Sequence, residues 1–230
     1  MKKCPLIVGC LLLVLCFTIR SQAQGSVSIH AGPSFPLGDF TDIGSNGNAA
    51  VGAHIGAQYV YPLGKNGWGL FGGVDLHYNG SEKDAETLSE RILMQITGDA
   101  NVHIKNPKYL NVPVTAGLRY TFKTGPCVSI FAHAGAASNF LKIMDYVLTI
   151  DGETYRSTQN WATKLGYTVG AGIWINDRFS IAVDYLGLGE HTYSGTLDIP
   201  ALGGQPAVKG DYDNGKQKVA ILALRVGVRL

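Results

Sequence analysis

The chain has 230 residues, of which 46% are hydrophobic and 16% charged, with 30 glycines and a formal net charge of +2. Lys2, Lys3 and Arg20 account for the positive balance, so the remainder is close to neutral and offers no basic patch for nucleic acid. Beyond residue 23 no apolar run is long enough for a membrane-spanning helix, which excludes a helical membrane protein and favours a sheet protein of one domain.

The N-terminal segment, residues 1–23, predicts a secretory signal peptide. Two lysines precede an apolar core from Leu6 to Ile19, and a small-x-small cleavage pattern ends at Ala23. The core is shorter than the roughly 20 residues that span a bilayer, so an anchor helix is the weaker interpretation. Three of the four cysteines lie in this segment and Cys127 remains alone, so we expect an exported domain, residues 24–230, without a disulfide framework.

Eight segments alternate apolar and polar residues with the period of 2 that marks a β-strand. They are roughly Ser26 to Pro36, Ala50 to Pro62, Trp68 to Asn79, Tyr109 to Phe122, Val128 to Leu141, Lys164 to Ile175, Phe179 to Leu188 and Lys218 to Leu230. Each segment has about the length of a tilted strand that crosses a membrane.

Short and long connections alternate strictly between these strands. The short ones are "LGKNG", "KTGPC" and "NDR", and the long ones are Leu37 to Ala49, Gly80 to Lys108, Lys142 to Thr163 and Gly189 to Gln217. This alternation places all tight turns at one end of the molecule and all long loops at the other. It is typical of an outer-membrane barrel, whereas a soluble sandwich has no reason to show it.

The two faces of the strands differ, and aromatic residues gather at the strand ends. One face of the fourth strand is apolar from Leu110 to Phe122, while the other carries Asn111, Thr115 and Arg119. The aromatic residues are Tyr59, Tyr61, Trp68, Tyr120, Phe122 and Phe179 near the tight turns, and Tyr78, Tyr109, Phe140, Trp161 and Tyr185 toward the long loops. Two such belts indicate the interfaces of a bilayer, although aromatic residues also favour strands in general.

A family resemblance rests on "GPSFPLGDF" before the first long loop, "YLNVPVTAGLRYTF" in the fourth strand and the alternating C-terminal strand. Together with the signal peptide, these segments resemble the small eight-stranded outer-membrane β-barrel domains common in Bacteroidetes, related in architecture to the OmpA and OmpX barrels. The resemblance implies an all-β, transmembrane, antiparallel up-and-down barrel with short periplasmic turns and long external loops, in the outer membrane of a Gram-negative bacterium.

The same resemblance implies outer-membrane lipid and the barrel-assembly machinery as partners. Val226, Val228 and Leu230 would form the C-terminal assembly signal. The chain departs from the pattern at Leu230, where such barrels usually end in an aromatic residue.

Several charged residues have inward parity, which means that they occupy the alternate strand positions facing the barrel interior. They predict a polar network inside the barrel. Eight strands leave an interior just wide enough for side chains, so charges that point inward must be paired. We predict a lumenal network of Asp75 and Asp184 with Arg119 and Arg225; residues of the same parity are His54, Gln58, His77 and His133. The network would fill the barrel, or alternatively act as a gate that opens a narrow channel to ions by switching partners.

Candidate catalytic and metal-binding residues are few, and we expect neither catalysis nor a cofactor. Ser28 and His30 share the inward parity on a strand without a nearby acid. Glu190, His191 and Ser194, at the base of the last loop, are better candidates for a lipid-modifying hydrolase or acyltransferase. "GDYDNGK", with Asp211 and Asp213, lacks ligands that a calcium loop requires, which favours a turn.

The long loops are where we expect function. Asp151-Gly152 predicts a hairpin that extends the third loop beyond the membrane. "TLSERILMQIT" fits an amphipathic helix with Leu88, Ile92 and Ile96 on one side, while "RILMQITGDANVHIK" equally fits a hairpin turning at Gly98-Asp99. Protruding hairpins expose edges that can add a strand from a partner.

The predicted function is therefore a structural or adhesion-like surface-interaction role toward a surface protein or host ligand. Three alternatives remain: a narrow channel, a lipid-modifying enzyme, and a secreted soluble barrel with the two faces reversed.

Overall fold

A computed structural model describes residues 25–42, 47–97, 101–150, 152–200 and 207–230. The predicted signal peptide and the turn positions Gly98, Asp99 and Asp151 lie outside these residues. The strands are β1 (Ser26–Pro36), β2 (Gly52–Pro62), β3 (Trp68–Asn79), β4 (Val102–Lys105), β5 (Tyr109–Lys123), β6 (Val128–Ile143), β7 (Tyr146–Ile150), β8 (Glu153–Gln159), β9 (Ala162–Ile175), β10 (Phe179–Ile199) and β11 (Val208–Arg229). A 3₁₀ helix (Gly38–Phe40) follows β1, and helix α1 (Lys83–Thr97) follows β3.

Eight of these strands close an antiparallel barrel in the order β1-β2-β3-β5-β6-β9-β10-β11, with β11 pairing back onto β1. The closing contact sets Ile29 opposite Val228, and Val228 in turn lies opposite Phe179. The up-and-down barrel and all eight predicted strands are confirmed; β10 and β11 extend furthest beyond their predicted outer ends. Closure leaves the barrel strands without free edges.

The tight turns lie together at one end of the barrel. In the turn between β9 and β10, Asn176 and Asp177 have φ values of 52° and 53°. Two consecutive positive φ values are the signature of a type I′ hairpin turn, for which Asn and Asp are well suited. Gly64 and Gly67 adopt positive φ in the turn between β2 and β3.

The two barrel faces are chemically opposite, as the alternation predicts. Apolar side chains are exposed on the outside, for example Leu165 at 76% and Val226 at 58%. Polar residues such as Ser34, Asn111 and Asn139 are fully buried inside. A secreted soluble barrel with apolar residues inside and polar residues outside is contradicted by this arrangement.

A second sheet continues from the barrel on the side of the long loops. β10 and β11 remain paired beyond the barrel, and β8, β7 and β4 add to β10 to give the order β11-β10-β8-β7-β4. The predicted hairpin in the third loop is confirmed by the pairing of β7 with β8 around Gly152, whose φ is 86°. We call this part of the structure the external sheet. It consists of Gly189–Ile199 of β10, Val208–Gln217 of β11, and strands β8, β7 and β4.

The long connection between β3 and β5 contains a helix and a strand. Residues 83–97 form α1, in agreement with the helical interpretation, while "VHIK" forms β4 and pairs with β7 instead of folding back on the preceding residues. None of the helices in the described residues is long and apolar enough to cross a membrane.

Candidate functional site

The outer mouth of the barrel is closed by apolar side chains. Phe40 of the 3₁₀ helix is fully buried and packs with Leu141, Leu188 and Ile221, which the strands direct inward. The ring of Phe40 meets the ring of Tyr109 edge-on, with centroids 5.1 Å apart. Phe40 therefore fills the mouth of the barrel.

Tyr109 requires a correction, because the sequence analysis placed it in the outer aromatic belt. Its parity is that of Asn111, and the structure buries it within the mouth, where its hydroxyl donates a hydrogen bond to the carbonyl of Gly47. The alternation of β5 decides the direction of this side chain, whatever its aromatic character.

A β-bulge at Leu188 changes which side chains of β10 point into the barrel beyond this residue. Gly187 pairs with Ala220 and Gly189 with Val219, so Leu188 is the extra residue on β10. Gly189 has a φ of 80°, which an L side chain rarely adopts. Beyond the bulge His191 points inward and Glu190 outward, the reverse of simple alternation.

The middle of the lumen holds buried ion pairs. The Nε of Arg225 lies 2.8 Å from Oδ2 of Asp184, and Nε2 of His133 lies 3.5 Å from Oδ1 of the same carboxylate. In the same part of the lumen, Nε2 of His30 lies 2.6 Å from Oδ1 of Asp75. Two of the four predicted network members, Asp184 and Arg225, thus form a direct pair.

Arg119 occupies a different position from the one predicted. Among the described residues neither Asp75 nor Asp184 lies within ion-pair distance of it. Its Nη1 donates to Oε1 of Gln58 at 2.9 Å, and its guanidinium lies 3.6 Å from the centroid of Phe131. Arg119 points into the lumen, as its inward parity predicts. Its height on β5 brings it to the amide of Gln58 and the ring face of Phe131, so a cation–π contact takes the place of an ion pair with a carboxylate.

The inner end of the barrel, near the tight turns, is closed by aromatic rings and arginines. Phe131 and Trp174 are buried with their centroids 6.0 Å apart. The guanidinium of Arg229 lies 4.4 Å from the Trp174 centroid. Arg119 therefore stacks on Phe131 and Arg229 on Trp174.

The space between the two closed ends is small. A cavity of about 10 Å³ is lined in part by Asp75, His77, Thr115, Asp184 and Arg225. This volume is about that needed for one water molecule. The cavity lies among the buried ion pairs in the middle of the lumen.

The predicted catalytic residues do not assemble into a nucleophile and base. Glu190 is exposed and pairs with Lys216 at 3.1 Å, whereas His191 is fully buried and contacts Nδ2 of Asn139 at 3.0 Å. The Oγ of Ser194 accepts a hydrogen bond from Asn160 at 3.0 Å. Glu190 and His191 lie on opposite faces because they are neighbours on one strand, and the bulge at Leu188 makes His191 the one that points inward.

Ser28 and His30 do not contact each other, because each makes its hydrogen bond to a different partner. Ser28 donates to the carbonyl of Gln58 at 3.4 Å, while His30 bonds Asp75. The sequence analysis found no acid near His30 because Asp75 is 45 residues away, on a strand that the barrel brings beside it. The inward parity shared by His30, His54 and Asp75 was the only sequence signal for this cluster.

Asp211 and Asp213 lie within β11, so the turn predicted for this segment is incorrect. Asp211 accepts a hydrogen bond from Thr196 at 3.0 Å, and the register with β10 shifts between the pairs Tyr193–Gly215 and Gly195–Tyr212. Asn214 in this irregularity has a φ of 69°. The turn-forming residues of "GDYDNGK" therefore produce a bulge.

The remaining predicted aromatic residues lie at the two ends of the outer barrel surface. Near the tight turns, Trp68 meets Tyr120 at 4.8 Å between centroids, and Tyr120 meets Phe122 at 4.3 Å. The exposed members are Tyr59, Tyr61, Trp68, Phe122 and Phe179 at this end, and Tyr78, Phe140 and Trp161 toward the long loops; Tyr120 and Tyr185 are partly exposed. We propose that they mark the two bilayer interfaces.

The external sheet is held by polar contacts between strands and to α1. Ser157 and the hydroxyl of Tyr212 lie 3.1 Å apart, and the carboxylate of Glu90 accepts a hydrogen bond from the amide of Ile104 at 2.8 Å. Burial, with a smaller contribution from Tyr212, raises the pKa of Tyr193 at the base of this sheet. That phenol consequently stays neutral at physiological pH.

A comparison with protein-family models identifies the family of the chain. A family model described as "Outer membrane protein beta-barrel domain" matches residues 9–196, and no curated protein matches the chain. Similar solved structures include a major outer membrane protein from Thermus thermophilus, with 12% identity over 90% of this chain and 100% of that one at a TM-score of 0.49. OprG from Pseudomonas aeruginosa has 14% identity over 92% and 99% at a TM-score of 0.47. Ail of Yersinia pestis, an attachment invasion locus protein, has 18% identity over 90% and 97% at a TM-score of 0.41.

Proposed function

The chain belongs to the family of outer membrane protein β-barrel domains, and from this premise we propose that it is a non-catalytic surface-interaction protein that binds a partner protein through its external sheet. The observation that carries the proposal is the ordered extension of β10 and β11 beyond the barrel. His191–Ile199 pairs with Val208–Gln217 along this extension, which spans roughly 30 Å at the usual rise per residue. A barrel that only filled its place in the membrane would need no such projection.

The two edges of the external sheet differ. At the β4 edge, α1 packs against the strand, and the carboxylate of Glu90 accepts a hydrogen bond from the amide of Ile104. At the β11 edge, no described strand pairs with Val208–Gln217 on the side away from β10. One edge is therefore covered, and the other presents unpaired backbone groups to the exterior.

Side chains along the open edge suit recognition of another protein while opposing self-association. Lys209, Asp211, Asp213 and Lys216 place charges of both signs along it, and such charges protect an edge from indiscriminate pairing. Val208 and Leu197 are 53% and 41% exposed and supply apolar contact area. We infer that a partner adds an extended segment to β11, the mode of recognition in which backbone hydrogen bonds give affinity and neighbouring side chains give specificity.

The experiment displays the protein on a Gram-negative host that lacks it and measures adhesion to immobilised extracellular-matrix proteins and to epithelial cells. One variant removes residues 194–214 and joins Tyr193 to Gly215 through Asn-Gly, because this pair is in register and Tyr193 packs on the apolar mouth. A second removes residues 147–156 of the third loop between Tyr146 and Ser157, which also pair. Lys65→Ala, in a tight turn at the opposite end, is the control.

We expect adhesion by the unaltered protein and by Lys65→Ala, and adhesion at the level of cells without the protein for the 194–214 deletion. Folding of every variant is checked by the change in gel migration on boiling. A folded 194–214 variant that adheres as the unaltered protein does would refute the role of the open edge. Loss of adhesion in the third-loop variant alone would move the site to β7 and β8.

A further inference from the structure

A second polar cluster lies in the lumen beside the Asp184–Arg225 pair. His30 on β1, His54 on β2 and Asp75 on β3 are buried, and one potential ligand atom of each lies within 4.8 Å of the other two. In register His30 lies opposite Gly56, and Gly56 opposite Asp75. A Cβ at Gly56 would overlap both side chains, so the glycine provides the space in which the imidazole and the carboxylate meet.

His54 is the least satisfied member of this cluster. It is 4% exposed, and its ring nitrogens make no well-formed hydrogen bond, with a backbone group of Pro33 as their polar neighbour. Its ring stacks on His77, with centroids 4.9 Å apart and planes 17° apart. A buried imidazole that makes no hydrogen bond is costly, and its nitrogens are free to bind something else.

His77 has the arrangement expected of a histidine prepared as a ligand. Its Nδ1 lies 3.1 Å from the hydroxyl of Ser34, while Nε2 is buried without a partner among the described residues. Histidines that bind metals commonly use one nitrogen for the metal and the other for an orienting hydrogen bond. Nε2 of His77 therefore has no partner among the described residues, and its ring stacks on that of the cluster member His54.

We propose that the lumen binds one divalent transition metal ion of the zinc class through His30, His54 and Asp75, with His77 as the fourth donor. Imidazole nitrogen and carboxylate oxygen are the ligands that Zn²⁺ prefers, at about 2.0–2.2 Å. Tetrahedral ligand atoms at that distance stand roughly 3.3 Å apart. The observed spacing reaches this arrangement when His30 and Asp75 separate slightly and His54 rotates toward them.

The surrounding charges are compatible with a cation. Asp75 supplies one negative charge, and the positive charge of Arg225 is already countered by Asp184 at 2.8 Å. Because the three ligands come from consecutive strands, the metal would tie β1, β2 and β3 together inside the barrel. Its binding free energy would then add to the stability of the folded chain.

The test measures metal content and stability of the full protein purified from outer membranes in detergent. The protein is unfolded in guanidinium with a chelator, refolded into micelles with ZnCl₂, dialysed, and its zinc per chain is measured by mass spectrometry. His54→Phe keeps the stacked ring and removes the ligand, and Asp75→Asn removes the charge. The controls are His133→Phe, a buried lumenal histidine outside the cluster, and His103→Phe on the exposed part of β4.

We expect one zinc per chain in the unaltered protein and in both controls, and at least a tenfold weaker affinity in His54→Phe, about the size of the losses seen when a metal site is perturbed. The urea midpoint of the unaltered protein should also rise with added zinc, a readout that needs no variant to fold. An unaltered protein that retains no zinc, a midpoint insensitive to zinc, or undiminished zinc in folded His54→Phe would each overturn the proposal.

Discussion

At the scale of single residues, the buried pair of Asp184 and Arg225 shows what a narrow barrel requires of its charges. Arg225 lies opposite Ala182 and Asp184 opposite Ala223, so the two side chains meet diagonally across β10 and β11. The side chain of Asp184 is 6% exposed and that of Arg225 is 8% exposed. Removing one partner leaves an uncompensated charge in a closed space, which costs far more than the intact pair contributes.

Asp184→Ala is expected to lower the free energy of unfolding by about 3–5 kcal/mol because Arg225 then stays buried without a counterion. Glu190→Ala, which breaks an exposed pair with Lys216, should cost less than about 1 kcal/mol. The measurement is urea unfolding of the barrel in phospholipid vesicles, followed by gel migration without boiling. Equal losses for the two variants would contradict the importance of burial.

Gly170→Ala is expected to destabilise the barrel by about 1–3 kcal/mol through overpacking. A Cβ at this position would overlap the side chains of Asp184 and His133, whereas a Cβ at Gly210 would meet nothing within 4 Å. Gly210→Ala, measured by the same unfolding assay, should change stability by less than about 0.5 kcal/mol. Tolerance of alanine at residue 170 would show that the lumen has more room than its closed geometry indicates.

Parity along single strands predicted which charged residues enter the lumen but not which of them meet. It placed Asp184, Arg225 and Arg119 inside, and the structure puts all three there. Contacts depend in addition on the height of each side chain, which the stagger between strands decides. Arg119 consequently meets Gln58 and Phe131, and Asp75 meets His30.

At the scale of elements, β10 changes its role along its length. From Phe179 to Leu188 it is a barrel strand with apolar residues outside, and beyond the bulge it joins the external sheet. Leu188 marks the boundary because the extra residue shifts every later side chain to the other face. The sequence analysis ended the strand at Leu188 and assigned the remainder to a loop, since the glycines and the changed parity interrupt the alternation.

Val183→Arg is expected to destabilise the barrel folded in a bilayer by about 2–4 kcal/mol. Val183 is 46% exposed on the outer surface, midway along the barrel part of β10. Ile175→Arg, at the end of β9 beside a tight turn, should cost only about 0–1 kcal/mol because arginine reaches the interface there. Refolding into vesicles at a series of urea concentrations measures both, and equal costs would contradict the assigned depth.

At the scale of the whole molecule, the lumen is closed at both ends by different means. An apolar layer around Phe40 seals the outer mouth, and Phe131 and Trp174 with two arginines seal the inner end. The ion pairs lie between these layers. Changing a pair in the middle therefore leaves both seals in place.

The purified protein is expected to be silent in planar bilayers, and Arg225→Ala is expected to be silent as well. We expect removal of one central side chain to enlarge a cavity of about 10 Å³ while the apolar layer around Phe40 and the rings of Phe131 and Trp174 stay in place. The measurement is single-channel conductance at symmetrical salt, with a known porin as a positive control. Conductance steps in the unaltered protein that change in Arg225→Ala would instead support the gated channel.

The sequence by itself determined the barrel, its eight strands, the end at which the tight turns lie and the outward apolar face. These follow from the pleat of a strand and from turn chemistry, both of which act over a few neighbouring residues. Only the tertiary structure decided the cluster of His30, His54 and Asp75, the seal made by Phe40 and the external sheet. Each depends on stagger, a bulge or pairing between distant segments, and these are fixed when the chain closes on itself and not by local alternation.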